Sequence, residues 1–354
     1  MKQNLKTIIL GIVFFVLCIG AALYHNKNQE AELSRYTASF LDVFDTKTDI
    51  IGYSTDEATF TEQAASLKEK LEYYHKLFDI YNDYEGVNNI KTINDNAGVA
   101  PVVVEQDIID LLLLSKEMYE KTNGQINVAM GSVLKIWHNY REAGVNNPES
   151  AALPSMEELE AASAYVDIDQ IVIDETASTV YLADANMSLD VGSIRKGYAV
   201  QRVSEYAKEI GMESVLLSVG GNVCAVGTKL DGSSWRIGIQ NPDMYSDDAY
   251  VKKVDVADVS VVTSGNYQRY YTVDGKQYCH IIDGDTLMPA DYFASVSIIT
   301  TDSGIADALS TSVFNMPFEE GLAFVNSLDG VEAMWILNDG SIEYSDGFAA
   351  YVAD

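Results

Sequence analysis

The chain has 354 residues, 47% of them hydrophobic and 21% charged, which is the composition of a globular protein with enough length for one large or two ordinary domains. Its 53 Asp and Glu against 23 Lys and Arg leave a net charge of −30, which weighs against nucleic acid as a partner. An anionic substrate must therefore find a local cationic pocket or a bound metal ion.

Lys2 and Lys6 precede an uncharged apolar run from Thr7 to Tyr24, so residues 1–26 read as a signal peptide or a signal anchor. The run is long for a cleaved segment and close to the minimum for spanning a bilayer, which favours an uncleaved anchor. Lipidation at Cys18 is disfavoured by the bulky Phe15-Val16-Leu17 before it. The acidic remainder is expected on the extracytoplasmic face of the cell membrane. A polar linker over 27–39 leads into one domain over 40–354, which no low-complexity segment, repeat or internal linker interrupts.

Within that domain, Leu67, Leu71, Tyr74 and Phe78 repeat at helical spacing. VVVEQDIIDLLLLSKEMYEKTNG reads as a short strand and a helix ending near Gly124, and PESAALPSMEELEAASAY as loop plus surface helix. IVIDETASTVYL predicts a hairpin. ESVLLSVGGNVCAVGTKLDGSSWRIGIQNP predicts three strands broken by glycine turns. A further hairpin turns at Asp274-Gly275, and WILNDGSIEYSDG closes with another. The expected fold is α+β, with mixed, largely antiparallel sheets and flanking helices. Cys224 and Cys279 read as core thiols, since their spacing matches neither a disulfide framework nor a zinc site.

Five stretches carry chemistry. In DVGSIRKGYAVQRV a helix begins near Ser193 with Arg195 and Lys196 in its first turn, where the helix dipole disfavours cations. Either these side chains point to solvent or pair with acids, or an anion such as a phosphate occupies the site. In SVGGNV, Gly220-Gly221 is a tight turn or a place of close ligand approach; it is not a dinucleotide fingerprint. TSGNYQRY is a polar turn with Thr263, Ser264 and Asn266 around Gly265. CHIIDGDTLMPA places His280 three residues before Asp283, as a base with its orienting acid or as an ordinary half-buried histidine. In TTDSGIADALSTSVF, Asp307 and Thr311 lie one helical turn apart, a hard oxygen pair suited to Mg²⁺ or a simple capping arrangement.

Taken in order, DVGSIRKGYA, SVGGNVCAVG, WRIGIQNP, TSGNYQRYYTVDGKQYCHIID and ADALSTSVF resemble the ApbE family of flavin transferases, and TINDNAG and NGQINVAMGSVLKIW are similar to that family's N-terminal stretches. The resemblance implies an ApbE-like, T-fold-like domain. It implies an enzyme that moves FMN from FAD to a Thr or Ser hydroxyl of an acceptor protein through a phosphoester bond, releasing AMP. By the same resemblance Asp307, Thr311 and a backbone carbonyl, that of Ser193, hold Mg²⁺. His280 is the base and Lys196 lies by the diphosphate; Asp283 stays the orienting acid that its spacing from His280 offers. Thr263, Ser264, Gly265, Asn266, Gly220, Gly221 and Asn222 hold FAD. Phe44, Asp45 and Thr46 match the family's first short motif, and Tyr81 and Asn94 are adenosine-side contacts. The chain departs from the family pattern at Arg195, at Ser193, and at Gly284 and Leu287, which stand for proline and glycine. Two other activities fit the same residues: FAD hydrolysis to FMN and AMP, and flavin binding without catalysis.

Overall fold

The computed structural model describes residues 33–353. The expected anchor, Cys18 and the first part of the linker lie outside them. Among the described residues no helix is long and apolar enough to cross a membrane.

In chain order, strands β1 (Ser34–Val43) and β2 (Thr46–Ser54) are followed by helices α1 (Glu57–Leu77) and α2 (Ile90–Asp95). Next come β3 (Val102–Val103), α3 (Gln106–Lys121), α4 (Gly131–Asn146), α5 (Met156–Ser163), β4 (Ile171–Asp174) and β5 (Thr179–Leu182). The second half begins with α6 (Arg195–Glu209), β6 (Val215–Val219), β7 (Asn222–Val226), β8 (Trp235–Gln240), β9 (Tyr250–Val256) and β10 (Ser260–Gly265). It ends with β11 (Tyr270–Val273), β12 (Lys276–Cys279), β13 (Phe293–Thr300), α7 (Ser303–Phe314), α8 (Phe318–Asn326), β14 (Glu332–Leu337) and β15 (Ile342–Tyr344).

The centre is an eight-stranded sheet ordered β1-β2-β6-β7-β10-β13-β14-β15, antiparallel at every pairing. Its middle strands are covered on both faces, so apolar residues of β10 and β13 point to both sides, with the small Ser260, Ser295 and Ser297 buried among them. Val262, Val296 and Ile298 point to the side of α6 and α7, whereas Val261 and Ile299 pack under the separate β8–β9 hairpin with Trp235, Ile237 and Val254. Three-stranded β3-β5-β4 and the β11–β12 hairpin complete the sheets. Asp274 (φ 50°) and Gly275 (φ 81°) form the expected tight turn of the latter. Cys224 and Cys279 are buried free thiols.

One boundary is corrected. Residues 34–39, assigned from sequence to the linker, are strand: Ser34 pairs with Ser54 and the register runs to Phe40 opposite Thr48. Ser34, Arg35, Thr37 and Ser39 face water on this edge strand, so polar residues interrupt its apolar side chains.

Helix α7 is buried around nearly its whole circumference, and α6 crosses it at Gly197. A Cβ at Gly197 would come within 2.1 Å of the Ser303 carbonyl oxygen and 2.5 Å of Asp307 Cβ. The crossing therefore requires glycine. Gly197→Ala is expected to cost about 1–3 kcal/mol through overpacking, despite alanine's better helix propensity. A lower urea midpoint with unchanged slope would register it; an unchanged midpoint would refute the close crossing.

Candidate functional site

Helix α6 starts at Arg195, two residues later than the sequence suggests. The preceding loop is closed by the Asp190 carboxylate, which accepts from the Gly192 amide at 2.8 Å, and by the Val191 carbonyl, which accepts from Ile194 and Arg195. Ile194 at the N-cap offers no side-chain acceptor. The acceptor comes from another helix: Asp307 Oδ2 takes the Gly197 amide at 2.8 Å. An acidic group does sit at the positive helix end, delivered by α7 rather than by local sequence.

The two cations at that end differ. Lys196 Nζ donates to the Gly220 carbonyl at 3.1 Å and to Asn222 Oδ1 at 3.2 Å. Arg195 donates to the Phe78 carbonyl at 3.2 Å and lies 5.8 Å over the Phe44 ring. Burial pushes the Lys196 ammonium below the ordinary lysine range, and the Asp307 charge opposes the shift. Burial raises the Asp307 carboxyl, and Lys196 and the Gly197 amide oppose that in turn. Each charge is kept in place by the other.

One cleft brings together Thr46, Tyr81, Ser193, Lys196, Gly220, Thr263, Ser264, Gly265, His280, Asp307 and Thr311. The β6–β7 turn reaches it closely, with Gly220 (φ 50°) packed so that a Cβ would meet Thr46 Oγ1 at 2.3 Å. Ser264 Oγ shares a hydrogen bond with Ser310 Oγ at 2.8 Å and lies 3.5 Å from Thr311 Oγ1. Tyr81 is presented by a loop organised around the buried Asp79 carboxylate, which accepts from the Tyr81 amide at 2.7 Å and the Tyr84 hydroxyl at 2.7 Å. Its ring lies 5.2 Å from that of His138.

His280 points its Nδ1 at the Arg269 carbonyl, 3.2 Å away. A carbonyl only accepts, so Nδ1 carries the proton and Nε2 keeps its lone pair. Desolvation, with Arg269, Arg141 and Lys196 nearby, pushes the His280 pKa down to about 3, so the ring is neutral at ordinary pH.

Other proposed site residues stand elsewhere. Asp283 is not the orienting partner of His280: its Oδ1 accepts from the Asp285 amide at 2.8 Å and closes the 283–288 turn. In that turn Leu287 adopts φ 58°, the left-handed region where the family pattern has glycine; it is buried, and its carbonyl receives the Trp137 indole N–H at 2.9 Å. Asn94 does not line the cleft but clamps the Leu189 backbone, accepting from its amide at 2.7 Å and donating to its carbonyl at 3.0 Å. Phe44 is 1% exposed and supports Arg195 from below; its amide donates to His75 Nδ1. Asn266 Nδ2 donates to the Phe293 carbonyl, Gly221 lies outside the lining, and Asn222 acts through Lys196.

Sequence reasoning missed Arg141, Asp190, Gln268 and Arg269, which also line the cleft. Arg141 follows His138 at i+3 on α4, a helical spacing that signals a shared face but not what the face meets.

The oxygen donors form a set without histidine or thiolate. Among the described residues no group of three His, Cys, Asp or Glu gathers. Asp307 takes the Gly197 amide on Oδ2 and meets the Asn222 side chain, Thr311 offers its hydroxyl, and the Ser193 carbonyl accepts no hydrogen bond among the described residues. One carboxylate with neutral oxygens fits a hard divalent cation that also binds substrate phosphates and water.

A family profile described as the ApbE family matches residues 44–335. The chain is 34% identical over 272 residues to the FAD:protein FMN transferase of Treponema pallidum, covering 73% of each chain. It is 30% identical to one from Klebsiella pneumoniae, covering 75% of this chain and 82% of that one. The crystal structure of the ApbE protein of Thermotoga maritima superposes with a TM-score of 0.79 at 28% identity, covering 91% of this chain and all of the other.

Proposed function

The chain belongs to the ApbE family, and from that membership we infer that it is an FAD:protein FMN transferase, moving FMN from FAD onto an acceptor protein. The observation that carries the chemistry is the convergence of Lys196, Asp307, Thr311 and the free Nε2 of His280 on one cleft.

In the proposed reaction the acceptor is a Thr or Ser hydroxyl. Its oxygen attacks the phosphorus on the FMN side of the FAD diphosphate, and the bond from that phosphorus to the bridging oxygen breaks. AMP leaves with the bridging oxygen, and FMN remains attached by a phosphoester. The hydroxyl proton passes to His280 Nε2, whose ring is oriented by the Arg269 carbonyl. Lys196 and the α6 N-terminus face the diphosphate, which answers the placement of cations at that helix end. Asp307, Thr311 and the Ser193 carbonyl would hold Mg²⁺, which supplies charge neutralisation for the diphosphate when bound. Residues 7–24 would anchor the enzyme to the membrane, with its domain on the extracytoplasmic side.

Incubating the full chain with FAD, Mg²⁺ and a small acceptor domain tests this by intact mass. The acceptor should gain one FMN less one water, and EDTA should abolish the gain. FMN and AMP released without an adduct would instead identify a hydrolase. For Lys196→Ala, loss of a charge-assisted hydrogen bond worth about 1.5–3 kcal/mol should raise the KM for FAD by roughly 10–150-fold. An unchanged KM would remove Lys196 from the diphosphate site.

A further inference from the structure

We propose that the β8–β9 arm beside the cleft is the surface on which the acceptor protein docks, through Met244, Tyr245 and Tyr250. This rests on the transferase reading, because only a protein substrate requires a surface beyond the cleft.

The arm is a two-stranded sheet of its own, and its inner side is fixed by Trp235, Ile237, Ile239, Val254 and Val256 against the central sheet. Its outer side carries Tyr250 lying over Gly238, where a Cβ would approach the ring to 2.4 Å. The tip, residues 241–249, is tied by its own hydrogen bonds. The Asn241 amide donates to the Ala249 carbonyl at 3.0 Å, Asn241 Nδ2 to the Asp248 carbonyl at 3.0 Å, and the Tyr245 amide to Asp243 Oδ1 at 2.9 Å. This ordered loop holds Tyr245 98% exposed and Met244 63% exposed. Aromatic and Met side chains held in water by a built loop are the composition of a protein interface.

Two contacts connect the tip to the site. Gln268 lines the cleft and donates to Gln240 Oε1 at 3.1 Å; Gln240 Nε2 in turn reaches Met244 Sδ at 3.2 Å. The acceptor hydroxyl must enter from solvent to reach His280, and it passes the rim formed by Gln268 and Arg269. A protein presenting that hydroxyl therefore lies against the arm. Charge narrows the partner further. The tip carries Asp243, Asp247 and Asp248 with no Lys or Arg, so the surface it fits presents apolar side chains flanked by basic ones.

The test uses the full chain and a folded acceptor domain with a single flavinylatable Thr, read by flavin fluorescence of the labelled domain. In the double variant Met244→Ser, Tyr245→Ser, the KM for the domain should rise about tenfold or more, as for loss of an interface anchor. The kcat and the rate of FAD cleavage without acceptor should stay at wild-type values. In the wild type that KM should increase with salt, and the Asp247→Asn, Asp248→Asn variant should raise it and flatten the salt dependence. Wild-type KM in both variants overturns the proposal while leaving the transferase reading intact. So does a double variant whose only defect is loss of self-association or of binding to phosphatidylcholine vesicles, which would reassign the arm to a second copy or to a lipid surface. Failure of the wild type to label the domain while cleaving FAD sinks the transferase reading itself.

Discussion

Replacing His280 by alanine lowers kcat for FMN transfer by about two to four orders of magnitude and leaves FAD binding near its wild-type level. The expectation follows from the tautomer. The Arg269 carbonyl holds the proton on Nδ1, so Nε2 is the only proton acceptor the ring offers. His280→Asn can still donate to that carbonyl, yet has no basic nitrogen, and should not rescue kcat. The pH profile carries the second half of the prediction. With the imidazole pushed down to about 3 in the free protein, the acid limb of kcat/KM lies well below the usual histidine value of 6.5. An acid limb near 6.5 that vanishes in His280→Asn would show that the ring titrates as an exposed histidine. Stability shifts with the same sign. As pH falls from 6.5 toward 3 the unfolded chain binds a proton at His280 that the native protein refuses, so acid favours unfolding across that window. His280→Asn should flatten the slope there.

Asp307→Ala should reduce FMN transfer by about 10²–10³-fold, the scale for loss of one preorganised electrostatic group, and should also destabilise the fold. Two roles meet in this carboxylate. It closes the N-terminus of α6 through the Gly197 amide, worth about 0.5–2 kcal/mol for a cap, and it compensates Lys196. Asp307→Asn separates them. The amide oxygen can still accept from Gly197, so stability should return toward wild type, while activity and the response to added Mg²⁺ should not. Recovery of transfer in Asp307→Asn would show that the acid serves as a cap and holds no metal.

Much of the secondary structure was legible because its causes are local. The spacing of Leu67, Leu71 and Tyr74, the Gly220-Gly221 and Asp274-Gly275 turns, and the start of α7 at Ser303 each depend on residues within one turn or one hairpin. The ordered motifs also identified the family. Strand β1 was not legible, since an edge strand facing water alternates Tyr36, Ala38 and Phe40 with polar residues and lacks a buried strand's signal.

The site divides in the same way. Sequence alone determined which chemical groups the chain owns: a lysine at a helix start, an Asp and a Thr one turn apart, and a histidine three residues before an Asp. Tertiary structure decided which of them meet. Lys196 and Asp307 are 111 positions apart and converge because α6 and α7 lie on one face of the sheet and cross at a glycine. It also removed residues whose side chains the backbone had already engaged, Asp283 in its turn and Asn94 on Leu189, and it added Arg141, which lies in none of the chemical stretches, and Arg269, which the TSGNYQRY stretch contains without marking it. A side chain's hydrogen-bonding capacity is set by its type, but whether that capacity is spent on the backbone or left for a ligand depends on neighbours that only the folded chain supplies.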